Sequence, residues 1–141
     1  MRTRTTRSQR FIGLAFVGAG VNHFVMPGPY RKIVPPSFGD PARLVVVSGV
    51  AEVAGGLGVL LPRTRRLAGL GLIALLVAVF PANVYMARNP ESFRRIPRWA
   101  LYGRLALQPL MMRSVWRATR AGGIEDLPTP SGSSRRGGSR A

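Results

Sequence analysis

Cysteine is absent from this chain of 141 residues, and histidine and lysine occur once each. The first absence excludes a disulfide framework, thiolate metal sites and thiol redox chemistry within the chain. One histidine leaves no ligand set for a protein-only zinc site, which draws on several His or Cys side chains, so no metal is expected. Acidic residues are also scarce, five against 21 basic ones, for a net charge of +16. That balance invites a nucleic-acid reading. However, the basic residues fall in short clusters between long apolar runs, whereas a nucleic-acid face gathers them along one element of a soluble fold. No nucleic-acid partner is expected. The chain also shows no nucleophile–base arrangement, phosphate loop or metal-ligand set, so it does not read as a stand-alone enzyme.

What is present is apolar sequence, 46% of the chain, laid out in four runs. The expectation is an all-α fold: a transmembrane four-helix bundle with short loops and a disordered basic C-terminal tail. Crossing the hydrocarbon layer takes about 20 residues, with a range of about 17–25. The spans are expected at 10–27, 42–61, 67–86 and 99–117, behind a basic N-terminal segment at 1–9 and ahead of a tail at 118–141. The first run is short and follows Arg2, Arg4, Arg7 and Arg10, so a signal peptide cleaved near Gly18–Gly20 is a rival reading. The second ends at Pro62 and the cluster Arg63, Arg65 and Arg66. The fourth carries Arg104, Gln108 and Arg113 and could instead lie in the interface as an amphipathic helix. Trp99, Tyr102 and Trp116 near its ends favour a span, because aromatic residues prefer the headgroup region. The Gly, Ser, Pro and Arg tail has too little apolar surface to fold.

Basic residues set the orientation. With the N-terminus inside, the inner segments hold thirteen of them (four, three and six) and the outer loops seven. Both termini are therefore expected in the cytoplasm of a bacterial plasma membrane, with the lipid bilayer as the main partner.

Polar side chains within spans are costly and mark candidate sites. They are Asn22 and His23 in the first span, Glu52 in the second, Asn83 in the third, and Arg104 with Gln108 in the fourth. At about 1.5 Å per residue, Glu52 falls near mid-bilayer and Arg104 roughly 8 Å below the outer surface, so the set points to the outer half. Ser48, Glu52, Gly55 and Gly56 share a helical face by spacing. Gly49, Gly55, Gly56 and Gly58, with Gly69 and Gly71, read as packing glycines that admit a neighbouring backbone. Pro81 and Pro109 free the carbonyls of Val77 and Leu105, which Asn83 or a buried water could satisfy. A structural alternative stands beside each site reading: Asn83 as local repair, a Glu52–Arg104 ion pair as bundle glue, and His23 as an interfacial polar residue.

Several pieces occur in order between Gly20 and Ala87: NHF at Asn22–Phe24, IVPP at Ile33–Pro36, SGVAEVAGG at Ser48–Gly56 and FPAN at Phe80–Asn83. In these the chain closely resembles the DoxX-like membrane proteins, over roughly residues 11–87. The resemblance implies a four-helix bundle in the cytoplasmic membrane. Some relatives are associated with redox systems, namely a thiosulfate:quinone oxidoreductase and a membrane complex with superoxide dismutase and a sulfurtransferase. Others help to mature or export proteins. The motif positions that carry over are Asn22, His23, Glu52, Gly55, Gly56, Pro81 and Asn83, without an assigned chemistry. The expected function is an accessory subunit of a quinone-linked or oxidative-stress redox complex, with redox-protein partners. No cofactor is built in, and a quinone is the candidate ligand in an outer-half pocket around Glu52. The alternatives are a small-molecule or proton-coupled transporter acting as a homo-oligomer, and a non-catalytic assembly or scaffold protein.

Overall fold

The computed structural model describes residues 5–120. The expectations for residues 1–4, and for the tail from 121 onward, lie outside the described residues. Four long helices and one short one make up the chain: α1 (Arg7–Val25), α2 (Pro27–Lys32), α3 (Pro41–Leu60), α4 (Arg65–Arg88) and α5 (Arg98–Arg120). The expected spans match the four long helices closely. α5 runs on to Arg120, past the expected end at 117. The short α2 and the 3-10 turns Pro36–Phe38 and Pro90–Phe93 were not expected.

Local chemistry explains the helix starts. Thr6 and Gln9 form a reciprocal capping box at α1, with the Thr6 hydroxyl accepting from Gln9 N at 3.3 Å and Thr6 N donating to Gln9 Oε1 at 2.9 Å. Asp40 caps α3 by accepting from Ala42 N at 2.9 Å, with Pro41 in the first turn, where its missing N–H costs nothing.

α3 and α4 are long and apolar enough to cross a membrane, and only 22% and 17% of their most apolar stretches are buried. α1 and α5 fall short of that standard. α5 carries Arg98, Arg104, Arg113, Arg117 and Arg120, and α1 carries Arg7, Gln9, Arg10, Asn22 and His23. Large apolar side chains nevertheless face outward on every long helix, among them Phe11, Leu14, Val50, Leu70, Val77, Leu110 and Trp116.

The long helices pack as antiparallel neighbours in the order α1, α3, α4, α5, and α5 returns to touch α1. Backbone contact sets the α1–α3 spacing. A methyl on Gly56 would lie 2.6 Å from Gly13 O, and one on Gly20 would lie 2.6 Å from Gly49 O. Gly55 instead faces Leu72, and Gly58 faces Ala68, both on α4. Gly55 and Gly56 therefore serve opposite neighbours and do not share one functional face, because adjacent helical positions point about 100° apart. Gly69 packs against Thr119, whereas Gly71 faces open space and is not a packing glycine.

The end holding the 61–64 turn, the expected inner end, is closed. Its apolar core is Phe16, Val59, Leu72, Leu76 and Val115. Beyond that core, three carbonyls left over at the end of α3 each receive a side-chain donor. Thr64 Oγ1 reaches Gly58 O at 2.9 Å, Arg65 Nε reaches Val59 O at 3.0 Å, and Thr5 Oγ1 reaches Leu60 O at 3.2 Å. Arg65 Nη2 also donates to Thr5 Oγ1 at 3.2 Å, and Gln9 Nε2 ties α1 to Ala118 O at 2.8 Å. Arg65 is thus buried as the cation at the negative end of α3 and is not a surface charge of the turn.

Two glycine substitutions should move stability in opposite directions. Gly56→Ala pushes a methyl into the α1 backbone and should cost about 1–3 kcal/mol. Gly71→Ala meets no atom and should gain up to about 1 kcal/mol of helix propensity. Thermal melts of the purified protein in one detergent check both signs.

Candidate functional site

The long helices close tightly at the inner end and leave a cavity of about 490 Å³ in the other half. Its walls are mainly apolar, with Val45 and Val47 from α3, Leu75, Leu76 and Val79 from α4, and Leu107 and Met111 from α5. Residues 30–38, from α2 through the first 3-10 turn, contribute Tyr30, Ile33 and Phe38. Ala19, Phe38, Val47, Ala78, Arg104 and Leu107 line the cavity and are also exposed, so it is open to its surroundings. A concave apolar chamber with a few convergent polar groups is the usual form of a small-molecule site.

Five of the six expected site residues line this one chamber: His23, Glu52, Asn83, Arg104 and Gln108. Asn22 does not. Its Nδ2 donates to Tyr30 Oη at 2.8 Å, and the Tyr30 ring meets the His23 ring edge-on with centroids 3.9 Å apart. Asn22 therefore acts behind the wall by holding the aromatic ring that covers His23.

On the α1–α3 wall, Ser48, His23 and Glu52 stand in a row. Ser48 and Glu52 are one helical turn apart, and Gly49 between them leaves room for His23, whose Cβ would lie 2.9 Å from any methyl at that position. Ser48 Oγ lies 3.1 Å from His23 Nδ1 and also donates to Val45 O at 3.1 Å. With its single proton committed to Val45, the hydroxyl accepts from His23 Nδ1–H. His23 Nε2 then faces Glu52 Oε2 at 3.8 Å, and that buried oxygen has no hydrogen-bond partner among the described residues. Two acceptors face one another, so the neutral arrangement of the pair carries one proton, on the carboxyl or on the imidazole. The row resembles a nucleophile–base–acid series, but Ser48 donates to Val45 O and not to the imidazole. The chemistry it offers is proton donation and acceptance toward the cavity.

The α4–α5 wall holds a second series. Arg104 Nε donates to Asn83 Oδ1 at 3.5 Å, Asn83 Nδ2 donates to Gln108 Oε1 at 2.7 Å, and Gln108 Nε2 donates to Leu76 O. The alternative of a Glu52–Arg104 ion pair is not formed, because Glu52 turns to His23 and Arg104 to Asn83. Near Pro81 the side chains bond one another and the α4 backbone. Gln108, reaching across from α5, satisfies Leu76 O, and the Asn83 amide is spent on Gln108.

A family profile matches residues 12–119, from α1 into the last turn of α5, and its description is a domain of unknown function, DUF8561. The chain belongs to this family. The matching profile is not that of the DoxX-like proteins. No curated protein and no solved structure matches the chain. For this DUF8561 chain the chemistry must therefore be read from the two polar walls themselves. Tyr30 and the α1 glycines Gly13 and Gly20 were missed in the sequence. The glycines had a readable signal, since their seven-residue spacing matches that of Gly49 and Gly56.

Replacing Gln108 by Leu strands the Asn83 amide, and should cost about 1–3 kcal/mol in a thermal melt. A cycle with Asn83→Ala should show a coupling of about 0.5 kcal/mol or more, and additive effects would mean the relay is not a unit.

Proposed function

We propose that this chain is a four-span protein of the bacterial cytoplasmic membrane, with both termini inside. On this reading it is an accessory subunit of a quinone-linked redox system. The outward apolar side chains of α1 and α5 support spans beyond the two apolar helices, since Phe11, Leu14, Leu107, Leu110 and Trp116 have no covering layer among the described residues. Resemblance to the DoxX-like proteins, through NHF, IVPP, SGVAEVAGG and FPAN, supports the redox association.

One observation carries the ligand reading. An apolar chamber has a proton-bearing His23–Glu52 pair on one wall and the Arg104 and Asn83 donors on another. A quinone is a flat apolar ring with acceptor oxygens on opposite sides, which asks for donors from two directions. His23 or Glu52 would hydrogen-bond one oxygen, and Arg104 the other. The exposed apolar residues of the lining, such as Val47, Ala78 and Leu107, suit a ligand that arrives from the lipid phase. Transport is less well supported, because the packed core at Phe16, Val59, Leu72 and Val115 closes the inner end. A scaffold role draws on the fully bonded inner clamp, yet leaves the unpartnered Glu52 oxygen without a purpose.

Native mass spectrometry of the protein extracted gently from its own membrane tests the reading, with Glu52→Gln alongside. Wild type should retain a quinone, and the variant should bind it roughly tenfold more weakly or worse, as expected for loss of a charge-assisted hydrogen bond. Wild-type protein that carries no quinone and gains none on incubation would contradict it.

A further inference from the structure

The chain places a carboxyl and a guanidinium in one cavity and keeps them apart. Glu52 faces His23, and the one proton that the two share leaves their wall neutral. Arg104 has a single long bond, from Nε to Asn83 Oδ1 at 3.5 Å. Among the described residues the one ion pair is His23–Glu52. The other described acids are committed elsewhere, Asp40 capping α3 and Glu91 in the turn Pro90–Phe93. With five acids against 21 bases, the sequence has little from which to supply a counter-ion. A cation at membrane depth is costly without one.

Arg104 is also aimed. Its Nε reaches toward Asn83, Asn83 is bonded to Gln108, and Gln108 to the α4 backbone at Leu76, so the guanidinium meets, on its Nε side, a relay anchored in the helix. That leaves the two terminal nitrogens as a planar fork at the cavity rim, the geometry that takes a carboxylate with two parallel hydrogen bonds. The size of the chamber limits the tail that such a head can carry. At the ~30 Å³ that a water molecule occupies in the liquid, about 490 Å³ holds roughly sixteen atoms. One acyl chain of moderate length fits within the walls.

We infer that the cavity binds a single-chain amphiphile with a carboxylate head, the head held by Arg104 and the chain lying along Leu75, Val79, Leu107 and Met111. This rests on the reading of the cavity as a site for ligands from the lipid phase and adds an acidic class to the quinone. Acid and quinone would share the space and compete, so free fatty acid would act as an inhibitor of quinone occupancy.

Equilibrium binding to the full chain in lipid nanodiscs tests this with dodecanoate, dodecanol, phosphatidylglycerol and a short-chain ubiquinone as probes. Wild type should bind dodecanoate roughly tenfold tighter than dodecanol or better, the scale of a charged hydrogen bond. The preference should vanish in Arg104→Gln and persist in part in Arg104→Lys, and dodecanoate should displace the ubiquinone. Arg104 is exposed, so both variants should fold, and a melt matching wild type checks this. Equal binding of acid and alcohol, an undiminished preference in Arg104→Gln, or Arg104-dependent uptake of phosphatidylglycerol in place of the acid would overturn it. Ubiquinone binding without acid binding would sink this inference and leave the proposed function standing. Acid binding without ubiquinone binding would do the reverse.

Discussion

α1 and α3 touch backbone to backbone, through Gly13 against Gly56 and Gly20 against Gly49. Seven residues separate the glycines on each helix, two turns, so both contacts fall on one line and fix the register of the pair. The functional wall depends on that register. His23 lies three residues beyond Gly20 and is delivered beside Gly49, between Ser48 and Glu52 on the facing helix. A shift of one residue would turn His23 by about 100° and separate it from the carboxylate.

The rest of the fold supplies contrast between two ends. Small residues let α4 approach α3 closely at Gly55 and Gly58, near the connecting turn, and Thr64, Arg65 and Thr5 satisfy the carbonyls there. Bulky residues replace the glycines farther along, with Leu44 and Val47 of α3 and Leu75 and Val79 of α4 lining the gap. The helices cannot close on one another there, and the cavity is the space that remains. The Arg104–Asn83–Gln108 relay then bridges α5 to α4 along one side of that space, next to Pro81.

Much of this was legible in the sequence because apolar runs of span length and isolated polar residues within them are local signals. Helix positions, the glycines against α1 and α4, and five cavity residues derive from them. What failed depended on rotation and pairing. Charge alone joins Glu52 to Arg104, but which partner each meets is decided by the α1–α3 register that brings His23 first. Asn22 lies next to His23 and points elsewhere, toward Tyr30, because neighbouring helical positions diverge by about 100°. Arg65 reads as one more basic residue of a turn, and only the arrival of Thr5 and the end of α3 makes it a buried cap. Gly71 shares its composition with Gly69 and differs only in facing outward.

Lipid against the outward apolar faces, and a cavity open to that same phase, are the conditions on which the proposed ligands depend. Because the chain has no cysteine, single spin labels can be placed one at a time at Val46, Val47, Val50 and Leu57 of α3 without background. In lipid bilayers, collision rates with dissolved oxygen and with a water-soluble nickel chelate report the surroundings of each label. Oxygen should dominate at all four positions, with Val47 at the cavity mouth no wetter than Val50. Chelate collisions matching or exceeding oxygen at Val46, Val50 and Leu57 would place this face in water and contradict the membrane reading.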